Sequence, residues 1–204
     1  EDYLYIGTDD GSAEGYNANS RLISIDKHTG KVVDDIKISG SGDIRSSITM
    51  ADGKLYFTSK GGFFHEAEYD PKTGDIISLR SLALENGSNG VPMSTSTPTV
   101  YNGRAYIGVS GKGQFSAYSG HNITVIDIPS WSIAYSVQTQ GYPQTTGTLT
   151  TYYEKTDGYV YVYFFDNYTP GKLRVLADKP GLKKPLMTVE ETSNGVTYTV
   201  AASV

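Results

Sequence analysis

The sequence of 204 residues has no cysteine, one tryptophan and only three histidines. Without cysteine there can be no disulfide, no thiol nucleophile and no zinc site built on thiolates. The net charge of -5 argues against nucleic-acid binding, which needs a basic face. No run of 18 apolar residues occurs, so the sequence predicts no membrane-spanning helix.

The abundant residues are tyrosine and glycine, with 17 and 23 copies. Tyrosine, together with the many threonines and valines, favours β-strands, and glycine favours the tight turns between them. The composition therefore predicts an all-β protein with many short connections.

An internal repeat organises the chain into four units. Each unit has an aromatic strand, and these strands are YLYIGT (3–8), KLYFTS (54–59), RAYIGVS (104–110) and YVYVYFF (159–165). A second strand that ends in aspartate follows in each unit, and a third strand then leads away. A Ser/Thr-rich strand precedes the aromatic strand in units two to four. We name the four strands A, B, C and D, with B the aromatic strand.

Four antiparallel strands per unit at a period of roughly 50 residues predict the blades of a β-propeller. The alternative is a β-sandwich, which would not repeat the order of tyrosine and then aspartate four times. The predicted blades span residues 1–39, 40–84, 85–139 and 140–198. Residues 199–204, TVAASV, are a candidate closing strand for the first blade. A closed four-bladed ring, half of a larger ring, and a ring shared by two chains all remain open.

The turns between strands C and D explain the conspicuous stretch IDKHTG (25–30). It resembles a catalytic or metal site, but its histidine, His28, does not recur in the other units. An aspartate that caps turn amides and a glycine in the left-handed conformation account for the pattern. The residues expected to fix these turns are Asp26, Gly30, Asp70, Gly74, Asp127 and Asp178.

LYIGT…LISIDKHTGKVV and KLYFTS…EYDPKTGDI resemble the blades of the quinoprotein-like (PQQ-like) propeller family. The resemblance covers most of the chain and is strongest in the first two units. It implies a propeller of this type, and the fourth unit is similar to propeller regions in surface proteins of Gram-positive gut bacteria. Quinoprotein dehydrogenases of that family need a calcium-held quinone, a general-base aspartate and stacking by tryptophan or a vicinal disulfide. One tryptophan and no cysteine do not supply that arrangement, so no cofactor is expected.

Length variation between the units is concentrated in the B–C loops, which share one end of a propeller with the D–A connections. Loops that vary on a constant scaffold commonly carry binding functions. Exposed aromatic residues there suit stacking on a sugar or contact with a peptide. The predicted ligand-binding residues are Phe63, Phe64, His65, Phe115, Tyr118, His121, Tyr142 and Tyr168.

No metal site is predicted, although the acidic loop 8–20 leaves a calcium ion open. Its oxygens are too irregularly spaced for the alternating pattern of a calcium loop. No coherent catalytic set occurs elsewhere in the sequence.

The sequence thus predicts a non-catalytic binding or scaffolding module, extracellular or on a bacterial cell surface. Its partner is expected to be a protein or glycan ligand, or neighbouring domains of a longer chain, and a homodimer is left open. The alternatives are a glycan-binding or glycan-processing propeller and, less favoured, a quinoprotein-type dehydrogenase. Fold alone does not decide among them.

Overall fold

The structure is a computed structural model that describes residues 2–11, 15–85, 91–111, 121–168, 171–184, 188–193 and 196–201. Within these residues the chain is almost entirely β-structure, arranged in four sheets. Sheet one contains β1 (Tyr3–Gly7), β2 (Ser20–Asp26) and β3 (Val32–Ile38). Sheet two contains β4 (Thr49–Ala51), β5 (Lys54–Ser59), β6 (Phe63–Tyr69) and β7 (Ile76–Ala83).

Sheet three contains β8 (Pro92–Met93), β9 (Thr99–Tyr101), β10 (Arg104–Gly111), β11 (His121–Asp127) and β12 (Ser132–Thr139). Sheet four contains β13 (Thr148–Thr150), β14 (Val160–Asp166), β15 (Lys172–Asp178), β16 (Thr188–Ser193) and β17 (Val196–Ala201). A one-turn helix, α1 (Glu154–Asp157), lies between β13 and β14. The all-β, propeller-type prediction is confirmed, and in the described part the four sheets do not close into a ring.

The four sheets, which we call blades one to four, pack on one another through alternate residues of their central strands. We call the side of a blade that faces the preceding blade its leading face, and the opposite side its trailing face. Three apolar clusters, one per blade pair, lie between them: Leu22 and Ile38 with Leu55 and Phe57; Tyr56 and Phe64 with Ala105 and Ile107; Tyr106 and Tyr135 with Val160 and Val162.

Burial in these clusters holds the blades together. Leu55, Phe57 and Ile107 are completely buried, and full burial of such a side chain contributes about 1.5–3 kcal/mol. Successive side chains of a strand point to opposite faces of its blade, so one alternate set packs on the preceding blade and the other packs on the following blade.

Threonine hydroxyls join neighbouring blades at their inner A strands. Thr49 donates its hydroxyl to the carbonyl of Pro98 at 2.6 Å, and Thr99 donates in the same way to the carbonyl of Gly147. This explains the Ser/Thr-rich composition of the A strands, which the sequence showed without a reason.

An Asp-Gly or Asn-Gly pair precedes the B strand in units two to four and predicts three A–B hairpin turns. Two of the three have the expected geometry. Asp52 and Gly53 have φ of 51° and 73°, and Asn102 and Gly103 have 47° and 73°, so both pairs adopt the left-handed conformations that favour a two-residue hairpin. The third was wrong, because Asp157 ends helix α1 and Gly158 is its left-handed C-cap at φ 79°.

The first two C–D turns are held by their aspartates. The Asp26 carboxylate accepts hydrogen bonds from the backbone N–H of His28 at 2.8 Å and of Thr29 at 3.1 Å. Asp70 accepts one from the N–H of Lys72 at 2.8 Å. In the third turn Asp127 accepts from the N–H of Ser130 at 3.2 Å.

The fourth C–D turn differs from the prediction. Asp178 is completely buried, and its carboxylate accepts hydrogen bonds from two tyrosine hydroxyls of blade three rather than from turn amides. The turn itself uses Gly181 at φ 88°.

Residues 199–201 of the candidate closing strand are described, and they lie in β17. β17, which reaches Ala201, lies in blade four between β15 and β16, and it pairs with β15 in parallel. In the described part blade one consists of β1, β2 and β3, and β1 lies at the edge where the other blades have an A strand.

The B–C loops and D–A connections interlock through backbone contacts. The N–H of Gly61 donates to the carbonyl of Ser41 at 2.8 Å, and a Cβ on Gly61 would lie 2.1 Å from that same oxygen. A Cβ on Gly108 would lie 1.7 Å from the carbonyl oxygen of Pro143. Glycine at these positions therefore serves close packing between blades.

Replacing Gly108 by alanine is expected to destabilise the fold by about 1–3 kcal/mol, because the added methyl group meets backbone. Gly171→Ala is the matched control, since its Cβ would lie 3.7 Å from the nearest atom, the carbonyl oxygen of Tyr168. It should change stability by less than about 0.5 kcal/mol. Urea unfolding measures both, and equal stabilities of the two variants would contradict the packing account.

Candidate functional site

The structure places the predicted ligand-binding residues in three different situations. Phe115 and Tyr118 lie outside the described residues. Phe63 and Tyr168 are partly exposed at the end of the blades that carries the B–C loops, which we call the loop face. The other four are completely buried: Phe64, His65, His121 and Tyr142. The expected exposure of these four residues was wrong, because three of them lie in strands β6 and β11 rather than in loops, and Tyr142 packs with Tyr16 and Met93.

His65 is fixed in the interior by both ring nitrogens. Its Nε2 lies 2.9 Å from the hydroxyl of Ser59 and its Nδ1 lies 2.8 Å from the hydroxyl of Ser81. The ring stacks on Phe57 with 4.7 Å between centroids. Burial lowers the pKa of His65 to about 3, so the ring is neutral at ordinary pH. This arrangement joins strands β5, β6 and β7 and leaves the imidazole away from solvent.

His121 and Tyr142 form a second buried pair beneath the loop face. Their rings are nearly parallel, with centroids 6.1 Å apart. The Tyr142 hydroxyl accepts a hydrogen bond from the backbone N–H of Thr95 at 2.7 Å, and the ring packs with Tyr16 and Met93. Tyr142 therefore ties the connection before blade four to the connection before blade three.

The acidic residues of loop 8–20 come together with a buried aspartate. Carboxylate oxygens of Asp9, Asp10 and Asp43 lie within 4.8 Å of one another. Arg45 reaches this group, 2.7 Å from Asp9 and 3.2 Å from Asp43. The guanidinium balances part of the negative charge, so the geometry is that of an ion-pair network.

A buried carboxylate on β6 forms the centre of a second charge network, which the sequence did not reveal. Glu66 is 3% exposed and accepts two hydrogen bonds from Arg80, both at 2.9 Å, and one from Lys54 at 2.8 Å. Burial opposes ionisation of Glu66, but the two cations outweigh it and hold its pKa below the ordinary value. The guanidinium of Arg80 lies 3.8 Å from the centre of the Trp131 ring.

Trp131 takes the position that glycine occupies in the first two C–D turns. Its φ of 50° is left-handed, and its ring also contacts Phe64 at 5.5 Å. A left-handed non-glycine residue is costly unless contacts compensate. The departure from the Thr-Gly pattern in the sequence was the available signal that this side chain serves a contact between blades two and three.

Asp178 anchors a third network between blades three and four. Its carboxylate accepts from the Tyr106 hydroxyl at 2.9 Å and the Tyr135 hydroxyl at 2.6 Å. Burial raises the pKa of both tyrosines, and the negative charge of Asp178 adds to that rise. Arg104, 1% exposed, lies 3.5 Å from Asp178 and donates to the carbonyl of Leu182 at 2.8 Å. The charged residue directly after the Asn-Gly turn was the signal for it in the sequence.

The exposed aromatic residues of the described chain lie chiefly on blade four. Tyr152, Tyr153 and Phe165 are 80%, 48% and 59% exposed. Tyr153 contacts the ring of Tyr161 edge-on, with 5.6 Å between centroids. We call Tyr152, Tyr153, Tyr161 and Phe165 the aromatic face. The signal in the sequence was the alternation in YVYVYFF (159–165), which places Tyr161 and Phe165 on the same side of β14.

Solved structures with a similar fold include two quinohemoprotein alcohol dehydrogenases. The enzyme ADHIIG from Pseudomonas putida HK5 is 12% identical, with a TM-score of 0.59. The aligned region covers 97% of this chain and 39% of the enzyme. The enzyme from Comamonas testosteroni is 13% identical with a TM-score of 0.56, covering 97% and 41%. The likeness shows the fold alone, a β-propeller.

A putative 6-phosphogluconolactonase from Bacteroides fragilis NCTC 9343 is also similar, with 13% identity, a TM-score of 0.53, and coverage of 99% of this chain and 68% of that one. No protein-family model matches the sequence. No curated protein matches it either. The chain spans about two fifths of the length of the two dehydrogenases. In the described part, no helix is long and apolar enough to cross a membrane.

His65→Gln is expected to reduce the acid sensitivity of the fold. The folded ring has a pKa of about 3, whereas the unfolded ring takes up a proton near pH 6.5. The unfolded state therefore binds the extra proton as pH falls, and wild type should lose about 2 kcal/mol of stability between pH 7 and pH 5. Carboxylates titrate mostly below this window, so the histidine dominates the change.

Urea unfolding at the two pH values measures this difference for wild type and variant. His28→Gln is the matched control, because the His28 side chain is 66% exposed. If His65→Gln and wild type lose equal stability between pH 7 and pH 5, then His65 is not the buried neutral group described.

Proposed function

We propose that the chain is a non-catalytic binding or scaffolding module of propeller type that acts outside the cell or on a bacterial surface. The observation that carries this proposal is the aromatic face. In blades one to three the trailing face is covered by the next blade. In blade four Phe165 remains 59% exposed on this face, and Tyr152, in the connection between β13 and β14 at the other end of the blade, is 80% exposed.

The aromatic face is stiffened by contacts among its own rings. Tyr152 and Tyr153 meet edge-on at 4.9 Å, and the Tyr161 hydroxyl donates to Asp157 at 2.8 Å. That hydrogen bond, with burial, raises the pKa of Tyr161 to about 12, so its hydroxyl keeps its proton. Aromatic rings fixed in this way contribute large contact area at small entropic cost, as in many binding surfaces.

A protein partner fits this surface best. The trailing faces of the inner blades already bind protein, since each receives the leading face of the next blade. A second copy of the chain and neighbouring domains of a longer polypeptide have the required chemistry. A glycan is the second candidate, supported by the exposure of Tyr152, because a sugar ring can stack on such a side chain. Phe63 and Tyr168 would add contacts at the loop face.

The absence of catalysis is proposed from how the ionisable groups are used. Glu66, Asp166 and Asp178 are each bound by arginine, lysine or tyrosine groups of the protein. Their roles in holding strands together leave them poorly placed to exchange protons with a substrate. A quinone cofactor would need a stacking platform, and the single tryptophan, Trp131, is already packed against Arg80 and Phe64. The described residues therefore do not fit that group.

The proposed location rests on the resemblance of the fourth unit to surface proteins of Gram-positive gut bacteria. An acidic chain without cysteine agrees with export but does not require it.

Adding PQQ together with calcium is expected to leave the melting temperature unchanged within about 1 °C, because no PQQ site is expected. A ligand that binds only the folded state would raise the melting temperature. Differential scanning fluorimetry, with calcium alone and buffer alone as controls, measures the shift. A stabilisation of several degrees by the pair would overturn the non-catalytic assignment.

Phe165→Asp is expected to weaken association of the chain with its partner by placing a charge in the aromatic face. With a second copy as the partner, light scattering across a concentration series should show wild-type dimers and monomers of the variant. Ile77→Asp is the matched control, because Ile77 is an apolar residue 64% exposed on β7, away from this face. A wild-type monomer at every concentration removes the second copy from the candidate partners.

A further inference from the structure

The edge of blade one lacks, among the described residues, a strand that the other blades possess. In blades two, three and four the B strand pairs with a three-residue A strand: β4, β9 and β13. The B strand of blade one is β1, which pairs with β2 and forms an edge of its sheet in the described part. The predicted source of a closing strand, β17, is already part of blade four.

The hydrogen-bond pattern shows which way β1 presents its backbone. The N–H of Thr8 donates to Arg21, and the N–H of Lys27 donates to the carbonyl of Asp2. In an antiparallel pair, alternate residues direct their backbone groups to the partner strand. Even-numbered residues of β1 therefore face β2, and Tyr3 and Gly7 direct their N–H and C=O groups toward the edge.

The side chains on the leading face of β1 correspond to buried side chains of β5 in blade two. Leu4 and Ile6 correspond to Leu55 and Phe57 of blade two, which are fully buried. Leu4 and Ile6 themselves are 57% and 51% exposed. They are the leading face of blade one.

The three existing A strands share a register that defines what fits. A threonine lies opposite a B-strand tyrosine, as in Thr49 with Tyr56 and Thr99 with Tyr106. The next residue is apolar and turns to the leading side: Met50, Val100 and Leu149 each pack into the cluster shared with the preceding blade. The threonine hydroxyl then reaches a carbonyl just before the next A strand, as Thr49 does with Pro98 at 2.6 Å.

A groove of about 540 Å³ lies where this strand would run on blade one. One wall is residues 4–7 of β1, and the other is residues 44–48, which lead into the A strand of blade two. The carbonyl that corresponds to Pro98 belongs to Ile48, and Ile48 lines the groove. The groove therefore has apolar residues, a sheet edge and a carbonyl acceptor in the same relative positions as the places that β4, β9 and β13 take in the other blades.

We propose that the edge of β1 binds an extended polypeptide segment as an added antiparallel strand. The segment carries threonine or serine opposite Tyr5, with its hydroxyl directed at the Ile48 carbonyl, and an aliphatic residue opposite Leu4. Strand addition of this kind takes affinity from the main chain and specificity from alternate side chains. The site is distinct from the aromatic face and does not depend on the proposed function there.

The A strand of blade three, β9, supplies a suitable probe. A synthetic peptide of residues 94–101, STSTPTVY, contains the Thr99 and Val100 pair. Titration into ¹⁵N-labelled protein at up to about 1 mM peptide, followed by NMR, covers weak binding. We expect saturable shifts of backbone amides in β1 and residues 44–48. Peptides with Val100→Asp or Thr99→Val should bind at least about tenfold more weakly.

Variants of the protein test the same site from its other side. Leu4→Asp is expected to weaken binding of STSTPTVY by about tenfold or more, whereas Ile77→Asp, at a comparably exposed position, should bind it like wild type. Circular dichroism and melting temperature confirm that each variant is folded. No shifts with the parent peptide, equal binding of the three peptides, or unchanged binding to folded Leu4→Asp would each overturn the proposal. A change of solution mass in Leu4→Asp without peptide binding would assign the face to a second copy instead.

Discussion

The apolar contact between the trailing face of one blade and the leading face of the next is the interaction on which the rest of this molecule depends. Each of the three contacts buries large side chains from both blades, such as Tyr56 and Phe64 against Ile107. Because a strand alternates its side chains, a central blade must be apolar on both faces. The turns, hydroxyl contacts and interlocked glycines set how the blades are aligned, but they act on blades that this contact has already brought together.

Charged groups in the interior follow the same arrangement. The Asp178 network crosses from blade three to blade four, and Arg80 reaches from blade two to Trp131 of blade three. Removing one partner of a buried pair leaves an uncompensated charge, so such networks specify alignment more than they add stability. In the sequence a carboxylate such as Asp178 is a candidate catalytic group, but in the structure it fixes one blade against the next.

The sequence allowed the repeat, the B and C strands and the propeller-type fold to be predicted, because these depend on alternation and on turn residues within a few positions. It did not allow the exposure of the aromatic residues to be predicted. His65 and Tyr142 lie in loop-flanking segments of the kind that is often exposed, yet blades packed from both sides bury them completely. Asp178 ends strand β15 just as Asp26 ends β2. What distinguishes Asp178 is its contact with Tyr106 and Tyr135 across the blade boundary. Such differences are set by contacts between residues far apart in the chain.

The hydroxyl contacts between A strands have a consequence for how the array comes apart. Thr49 couples blade two to blade three, and Thr99 couples blade three to blade four. The three clusters between consecutive blades likewise join only neighbours, whereas the smaller cluster of Tyr16, Met93 and Tyr142 links blade one to blade three and to the connection before blade four. In an array of nearest-neighbour couplings, an inner unit is held on two sides and an outer unit on one. Local opening is therefore cheapest at the ends and propagates inward, with blades two and three exchanging their amide protons last. In the described part the outer blades therefore open most easily, and contacts that link distant blades, as the Tyr16 cluster does, raise the cooperativity of the whole.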